Sequence, residues 1–136
     1  MEITKAPKIQ IYEDIDRELY VEAEIAAGNR VVYPKENELL IDIDTENQYS
    51  LFKHQIEALE KNSVLCTILY DELSRGGYPG RHIIVKLDNS IDLDPVKRIA
   101  FQAALGSDPM RELLSLLRNE NEDKFPTLFI EEVSNV

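Results

Sequence analysis

Short apolar runs alternate with amphipathic stretches along this chain, and this alternation predicts strands and helices in mixed order. Runs bounded by turn residues are typical of strands, and they lie at residues 30–33, 38–44, 64–70, 82–87 and 126–130. Helical spacing of apolar residues covers residues 14–27, the segment from Thr45 to about Lys61, and the segments that follow Asp94 and Asp108. Residues 1–12 are predicted to form an edge strand or an extended arm.

Capping signals support the predicted helix starts. Thr45 is followed three residues later by Gln48, which is the spacing of a capping box. Asp94 stands directly before a proline, as does Asp108, and proline is favoured at the first helical position. The last of these helices could also be capped by Ser107.

The predicted fold class is α+β, with a mixed or antiparallel sheet and helices packed on at least one of its faces. The nearly continuous apolar run at residues 64–70 favours a central strand covered on both faces. A glycine-rich turn at residues 74–81 then leads into the strand at 82–87, which predicts a hairpin. We expect one domain over residues 1–136, with an N-terminal arm and helix at 1–28 and an α+β core at 29–136.

The net charge of −11 argues against a protein that grips nucleic acid through bulk electrostatics. Any contact with a polynucleotide should therefore be local, metal-mediated or shared with a partner. Basic residues gather around the glycine turn as Arg75, Arg81 and Lys86, although scattered surface charge would look the same. Acidic residues gather elsewhere, for example Glu120, Glu122, Asp123, Glu131 and Glu132.

The compartment expected from the sequence is the cytoplasm. No apolar stretch reaches the roughly 18 to 20 residues that cross a bilayer, and the first residues lack the basic and apolar regions of a signal peptide. Membrane partners are not expected. Phosphate-loop ATP hydrolysis and Cys/His zinc sites are excluded by the absence of their motifs.

The most informative polar residues are Asp42 and Asp44, at the end of an apolar run. Side chains two residues apart on a strand emerge on the same side, so these carboxylates can share a cation. Mg²⁺ and similar hard ions take oxygen ligands from one or two carboxylates together with substrate phosphates. The alternative interpretation is that Asp42 and Asp44 simply mark a solvated strand end, and that Gly-Arg-His at residues 80–82 is an ordinary turn.

In order and spacing, two short motifs resemble those of the archaeo-eukaryotic primase (primase-polymerase) superfamily. Asp42-x-Asp44 after an apolar strand resembles the first motif, and Gly80-x-His82 before a strand resembles the second. Residues 98–118 are also similar to segments of small phage and mobile-element proteins with primase-like signatures. The resemblance implies a primase core related to the RNA-recognition motif and the use of two divalent ions, Mg²⁺ or Mn²⁺, to join nucleotides.

The resemblance also implies roles for particular residues. Asp42 and Asp44 would bind metal, and His82 would contact the phosphates of the incoming nucleotide. The turn that carries Arg75, Gly80 and Arg81 would lie near those phosphates, although Gly80 stands where many relatives have serine.

A third acidic motif completes metal binding in the superfamily, and no position here matches it cleanly. Asp108 is the first candidate, with Asp92 and Asp94 as alternatives. Asp108 and Asp94 each have a structural explanation, because an aspartate before proline is a helix cap.

These residues favour a minimal primase-polymerase-like nucleotidyltransferase that acts in nucleic-acid replication. Catalysis would depend on Asp42, Asp44 and His82, and the partners would be a nucleoside triphosphate and a nucleic-acid template in local contact. Active polymerising relatives are larger, so a chain of 136 residues could also depend on a replication protein partner. The alternative is a non-catalytic acidic adaptor of the same fold that binds a replication or defence protein.

Overall fold

The computed structural model describes residues 17–121, 123 and 126–131 of the chain. The arm or edge strand expected at residues 1–12 lies outside this part. Helices and strands alternate within it in the order α1 (Arg17–Ala26), β1 (Arg30–Val32), β2 (Glu38–Ile43), α2 (Glu46–Lys61), β3 (Cys66–Leu73), β4 (Arg81–Leu87), α3 (Pro95–Ala104), α4 (Pro109–Glu120) and β5 (Phe129–Glu131).

The strands form two antiparallel sheets, so the predicted α+β class is confirmed. One sheet has the order β2-β4-β3, and β1 pairs with β5 in a second, two-stranded sheet. The expected β3–β4 hairpin is also present. In the three-stranded sheet Asp42 lies directly opposite His82, and Ile43 lies opposite Arg81. This register fixes which side chains share a face.

The hydrophobic core lies between α2 and one face of the three-stranded sheet. Alternate residues of β2 point into it, and they meet alternate residues of β4 and the apolar stripe of α2. Its buried members are Leu39, Ile41, Ile43, Phe52, Ile56, Ile83, Val85, Leu87 and Leu105. Because Asp42 and His82 lie between these positions in sequence, their side chains emerge on the opposite face.

The expectation that residues 64–70 form a central, doubly covered strand is wrong. Among the described residues β3 pairs only with β4, which is itself the central strand. Side chains of β3 and the residue before it remain open to solvent, including Leu65, which is 69% exposed, and Leu69, which is 51% exposed. An irregularity between Ile68 and Tyr70 also interrupts the pairing. Continuous apolar character therefore did not indicate burial here.

The predicted helix caps are confirmed. Thr45 and Gln48 form the complete capping box at the start of α2. Asp94 caps α3 by accepting from the Lys97 N–H, and Asp108 caps α4 by accepting from the Met110 N–H at 3.2 Å. Among the described helices, none combines the length and apolar character needed to cross a membrane.

Candidate functional site

Asp42 and His82 meet across the β2–β4 pair on the face away from the core. The His82 Nε2 atom lies 3.6 Å from the Asp42 Oδ1 atom. Both side chains are largely but not fully buried, with 23% of Asp42 and 13% of His82 exposed. The meeting of these two residues follows from strand register, because opposite residues of an antiparallel pair have adjacent side chains on one face.

The loop between α3 and α4 brings Asp108 to the same place by binding the outer edge of β2. The Asp108 N–H donates to the Asp42 carbonyl oxygen at 2.7 Å, and the Asp42 N–H donates to Ser107 Oγ at 2.9 Å. The loop thus satisfies the backbone groups that a neighbouring strand would otherwise bond. Asp108 is held beside Asp42 by these two hydrogen bonds.

The sharp turn before Asp108 requires glycine. Gly106 has a φ of +91°, a conformation that costs little only for glycine, and a Cβ there would lie 2.8 Å from the Gln48 carbonyl oxygen. The turn therefore packs directly against the first part of α2. The same glycine both ends α3 and sets the distance between the α3–α4 loop and β2.

Asp42, Asp44 and Asp108 form a cluster in which one carboxylate oxygen from each residue lies within 4.8 Å of the others. Asp44 is exposed, whereas Asp42 and Asp108 are half-buried. Asp108 therefore acts as a helix cap and also stands in the acidic cluster. Of the alternatives, Asp94 caps α3, and neither it nor Asp92 belongs to this cluster.

Burial and mutual repulsion disfavour the charged forms of the carboxylates in this cluster. Burial raises the pKa of Asp42, and the charges of Arg111 and His82 only partly oppose this. Burial also raises the pKa of Asp44, and repulsion from the Asp42 and Asp108 carboxylates raises it further. The donor set consists of carboxylate oxygens, which hard ions such as Mg²⁺ and Mn²⁺ prefer, so these residues fit the metals expected from the sequence.

The other side of the His82 ring is held by β5. Its Nδ1 atom lies 2.6 Å from Glu131 Oε1, and its ring stacks on Phe129 with a centroid separation of 4.0 Å. The Arg111 guanidinium lies over the Phe129 ring at 4.9 Å. The expectation that Glu131 lies with acidic residues away from the site is wrong, because the contact between β5 and His82 leaves no local signal in the sequence.

A buried polar network that no sequence motif indicates lies beneath the site. Gln102, which has no exposed surface, accepts from the Leu40 N–H at 2.9 Å and donates to both oxygens of Glu112. Arg111 donates to the Leu40 carbonyl oxygen at 2.7 Å and to Ser107 Oγ at 3.1 Å. These side chains continue the coverage of the β2 edge that the α3–α4 loop begins.

The charges in this network are strongly affected by burial. Burial raises the pKa of Glu112 to about 7, despite the opposing charge of Arg111 and the hydrogen bonds from Gln102. Burial also lowers the pKa of Arg111, with Glu112 and Asp42 opposing the shift. These residues could have been found from the sequence as polar residues on the faces of α3 and α4 that point inward.

The basic residues predicted to contact nucleotide lie away from the acidic cluster or already have acidic partners. Arg81 lies on the opposite face from His82, where it bonds Asp71 at 2.9 Å and covers the Tyr49 ring of α2. Arg75 makes a two-pronged ion pair with Glu24 of α1. The structure therefore brings together Asp42, Asp44, Asp108 and His82 but not these two arginines.

Gly80 is buried at the foot of the glycine turn. A Cβ at this position would collide with the Ser74 side chain, and it would approach the Gly77 carbonyl oxygen to 3.1 Å. A serine at this position would need the Ser74 side chain to move. Packing against Ser74 therefore accounts for glycine at this position in this chain.

A concave opening of about 400 Å³ lies next to Asp44 in the chain. It is bordered by the first residues of α2 and by the glycine turn, namely Thr45, Glu46, Asn47, Tyr78 and Pro79. The Tyr78 side chain is 65% exposed at its rim.

Comparison of the chain with protein families, with curated proteins and with solved structures found no match. Its function is therefore inferred from the residues of the site and from the motif resemblance.

Proposed function

We propose that the chain is a minimal, divalent-metal-dependent nucleotidyltransferase domain of the primase-polymerase kind. The observation that carries this proposal is the convergence of Asp42, Asp44, Asp108 and His82 at one rim of the sheet. These residues come from three separate parts of the chain: the end of β2, the start of β4 and the loop before α4. Their convergence favours a shared ligand over three unrelated surface features.

The acidic cluster would hold the ions. The Asp108 N–H donates to the Asp42 carbonyl oxygen, and the Asp42 N–H donates to Ser107 Oγ, so the two residues are held together before a ligand arrives. Bound Mg²⁺ or Mn²⁺ would neutralise triphosphate charge and help deprotonate an attacking 3′ hydroxyl. Preorganised carboxylates lower the cost of ordering such a site.

His82 would steady the phosphates beside the ions. Its Nε2 atom is on the Asp42 side of the ring, and its Nδ1 atom is occupied by Glu131. A phosphate oxygen bound near Asp42 would thus be within reach of one imidazole nitrogen only. Because Arg75 and Arg81 already pair with carboxylates, the ions would balance most of the triphosphate charge.

Other features are compatible with a primase-like core. A three-stranded antiparallel sheet carries one core helix on one face and the candidate site on the other. The net charge of −11 limits contact with a template to the neighbourhood of bound ions or to a surface completed by a partner. We propose that the domain acts in nucleic-acid replication.

The proposal is tested by incubating the protein with nucleoside triphosphates, a primed template and Mn²⁺ or Mg²⁺, and measuring dinucleotide formation and primer extension. The Asp42→Ala/Asp44→Ala double variant should lose product while keeping its fold by circular dichroism. Equal product from both proteins would assign the activity to a contaminant. The absence of product and of metal-dependent triphosphate binding from the wild-type protein would end the proposal.

A second candidate function is the non-catalytic adaptor, which the exposure of β3 favours. Ile68, Leu69 and Leu73 are each about half exposed on an edge strand, and edge strands can accept a strand from a partner. An adaptor would not need a triphosphate. If a nucleoside triphosphate raises the melting temperature only when metal is present, the adaptor function is the weaker of the two.

A further inference from the structure

Tyr78 presents an uncovered aromatic ring at the tip of the glycine turn. Its side chain is 65% exposed at the rim of the opening that the first residues of α2 also border. Within the described part of the chain, no second ring and no cation stacks on it. The Tyr49 ring differs, because Lys53 and Arg81 lie over it at 4.7 and 4.5 Å. Of these two tyrosines, Tyr78 is the one that offers its ring to a planar ligand.

The opening that Tyr78 borders adjoins the acidic cluster. Thr45 lines the opening and directly follows Asp44, which belongs to the cluster. The Asp44 N–H and the Thr45 N–H both donate to Gln48 Oε1, at 2.7 and 2.9 Å, so the capping box holds this junction in place. Because consecutive Cα atoms are about 3.8 Å apart, the cluster and the opening lie within the span of a single nucleotide.

The turn that carries Tyr78 is held against the end of β2. The Ser74 N–H donates to the Gly80 carbonyl oxygen at 2.9 Å, and the Gly77 N–H donates to the Ser74 carbonyl oxygen at 2.8 Å. A Cβ on Gly80 would lie only 3.7 Å from the Ile43 carbonyl oxygen, so the turn packs beside the residues that lead into the cluster. These contacts keep Tyr78 across the opening from the start of α2.

The charges around the opening favour a ligand group that binds without cations. The two arginines of the turn, Arg75 and Arg81, already pair with carboxylates, and the chain carries a net charge of −11. Stacking of a base on an aromatic ring does not depend on phosphate-binding cations. The exposed Asn47 amide, which also lines the opening, can both donate to and accept from the edge of a base.

We infer that this opening binds the nucleobase of the triphosphate, with Tyr78 as the residue on which the base stacks. The inference rests on the proposed function for the triphosphate, but binding of an uncharged nucleoside can be observed without metal. With its phosphates at the cluster and its base in the opening, one nucleotide would cross the junction between Asp44 and Thr45. The glycine turn then contributes to the site through its aromatic residue, in place of its arginines.

The test compares two metal-bound triphosphates, one with a base and one without. Isothermal titration measures the binding of adenosine triphosphate and of inorganic tripolyphosphate, each with Mn²⁺, to wild type, Tyr78→Ala and Tyr78→Phe. Tyr20→Ala is the matched control, because Tyr20 is a tyrosine of α1 that is 36% exposed and does not line the opening. NMR then follows the Tyr78 ring and the Asn47 amide while adenosine is added, up to its solubility, to metal-free protein.

We expect Tyr78→Ala to bind adenosine triphosphate about tenfold more weakly than the wild type does, because a stacking partner is lost. Its affinity for tripolyphosphate should be unchanged, since the acidic cluster is intact. Tyr78→Phe keeps the ring and should bind both ligands within about twofold of the wild type. Tyr20→Ala should match the wild type, and adenosine should shift the signals of Tyr78 and Asn47 in the wild-type protein.

Equal affinity of wild type and Tyr78→Ala for adenosine triphosphate would overturn the inference. So would an equal loss of tripolyphosphate binding in Tyr78→Ala, or an adenosine titration that leaves the Tyr78 signals unmoved. If the wild-type protein binds neither triphosphate with Mn²⁺ while adenosine still shifts Tyr78 and Asn47, the proposed function fails but the base site stands.

Discussion

His82 Nε2 lies 3.6 Å from Asp42 Oδ1, and this contact is set by the pairing of two strands rather than by a loop. A shift of the β2–β4 pairing by one residue would place Ile41 or Ile43 opposite His82 and would turn apolar side chains out of the core. The core on the other face therefore holds the acid and the imidazole together. Rigid elements of this kind position functional groups more accurately than loops do.

We predict that Gly106→Ala will destabilise the protein by more than about 2 kcal/mol and weaken Mn²⁺ binding. The alanine must adopt a φ of +91° and place its Cβ 2.8 Å from the Gln48 carbonyl oxygen, which displaces the loop that carries Asp108. Urea unfolding and Mn²⁺ titration measure the two effects.

Gly28→Ala is the matched control for this prediction. Gly28 also has a positive φ, +88°, but a Cβ there would meet nothing within 4 Å. It should cost about 1 kcal/mol from backbone conformation alone and leave Mn²⁺ binding unchanged. Equal losses in the two variants would show that the contact with α2 is unimportant.

Gln102→Leu should destabilise the fold by about 2 to 4 kcal/mol, because it leaves the buried Leu40 N–H without an acceptor and removes the amide donor from the buried Glu112 carboxylate, which keeps only Arg111. Gln55→Leu is a suitable comparison, since Gln55 makes only a 3.3 Å hydrogen bond to the Ala104 carbonyl oxygen near the surface. Its expected cost is below about 0.5 kcal/mol. Chemical denaturation of both variants checks the difference, and similar losses would contradict it.

The stability of the protein should fall as pH rises from about 5 to about 8. The pKa of Glu112 is raised from 4.5 to about 7 in the fold. The native state thus binds the proton more tightly than the unfolded chain, and this stabilisation is lost as pH rises through about 7. The full effect is at most about 3 kcal/mol.

Glu112→Gln should flatten this dependence without abolishing it, since the raised pKa values of Asp42 and Asp44 act in the same direction at lower pH. The measurement is the free energy of unfolding in urea across that pH range. Parallel curves for the variant and the wild type would mean that Glu112 does not titrate there.

Much of the fold could be predicted because its signals are local. The capping box at Thr45 and the Asp-Pro caps at Asp94 and Asp108 each depend on a few consecutive residues, and all three caps are present. The predicted central position of β3 is wrong because it depends on information that is not local. Whether an apolar strand becomes central or lies at an edge depends on strand order, which its own residues do not encode.

The candidate site likewise contains residues that local motifs predict and residues that only long-range contacts bring in. Asp42 and Asp44 stand in one short motif, and His82 was expected near them from the order of motifs. The supporting residues Gln102, Arg111 and Glu131 act through contacts between distant parts of the chain, such as the 49 residues that separate His82 from Glu131. The face of Arg81 follows from strand alternation, because Arg81 directly precedes His82 on β4 and so points to the other side of the sheet.

The most direct test of the central claim is a Mn²⁺ titration, followed by electron paramagnetic resonance, of wild type, Asp108→Asn and Asp94→Asn. Both aspartates are helix caps before a proline, and asparagine caps helices about as well, so the two variants lose one carboxylate each with the caps kept. If the cluster binds metal, Asp108→Asn will bind Mn²⁺ at least about tenfold more weakly, a loss of about 1.4 kcal/mol, and Asp94→Asn will match the wild type. Equal affinity in all three proteins, or no Mn²⁺ binding by the wild type, would contradict the claim.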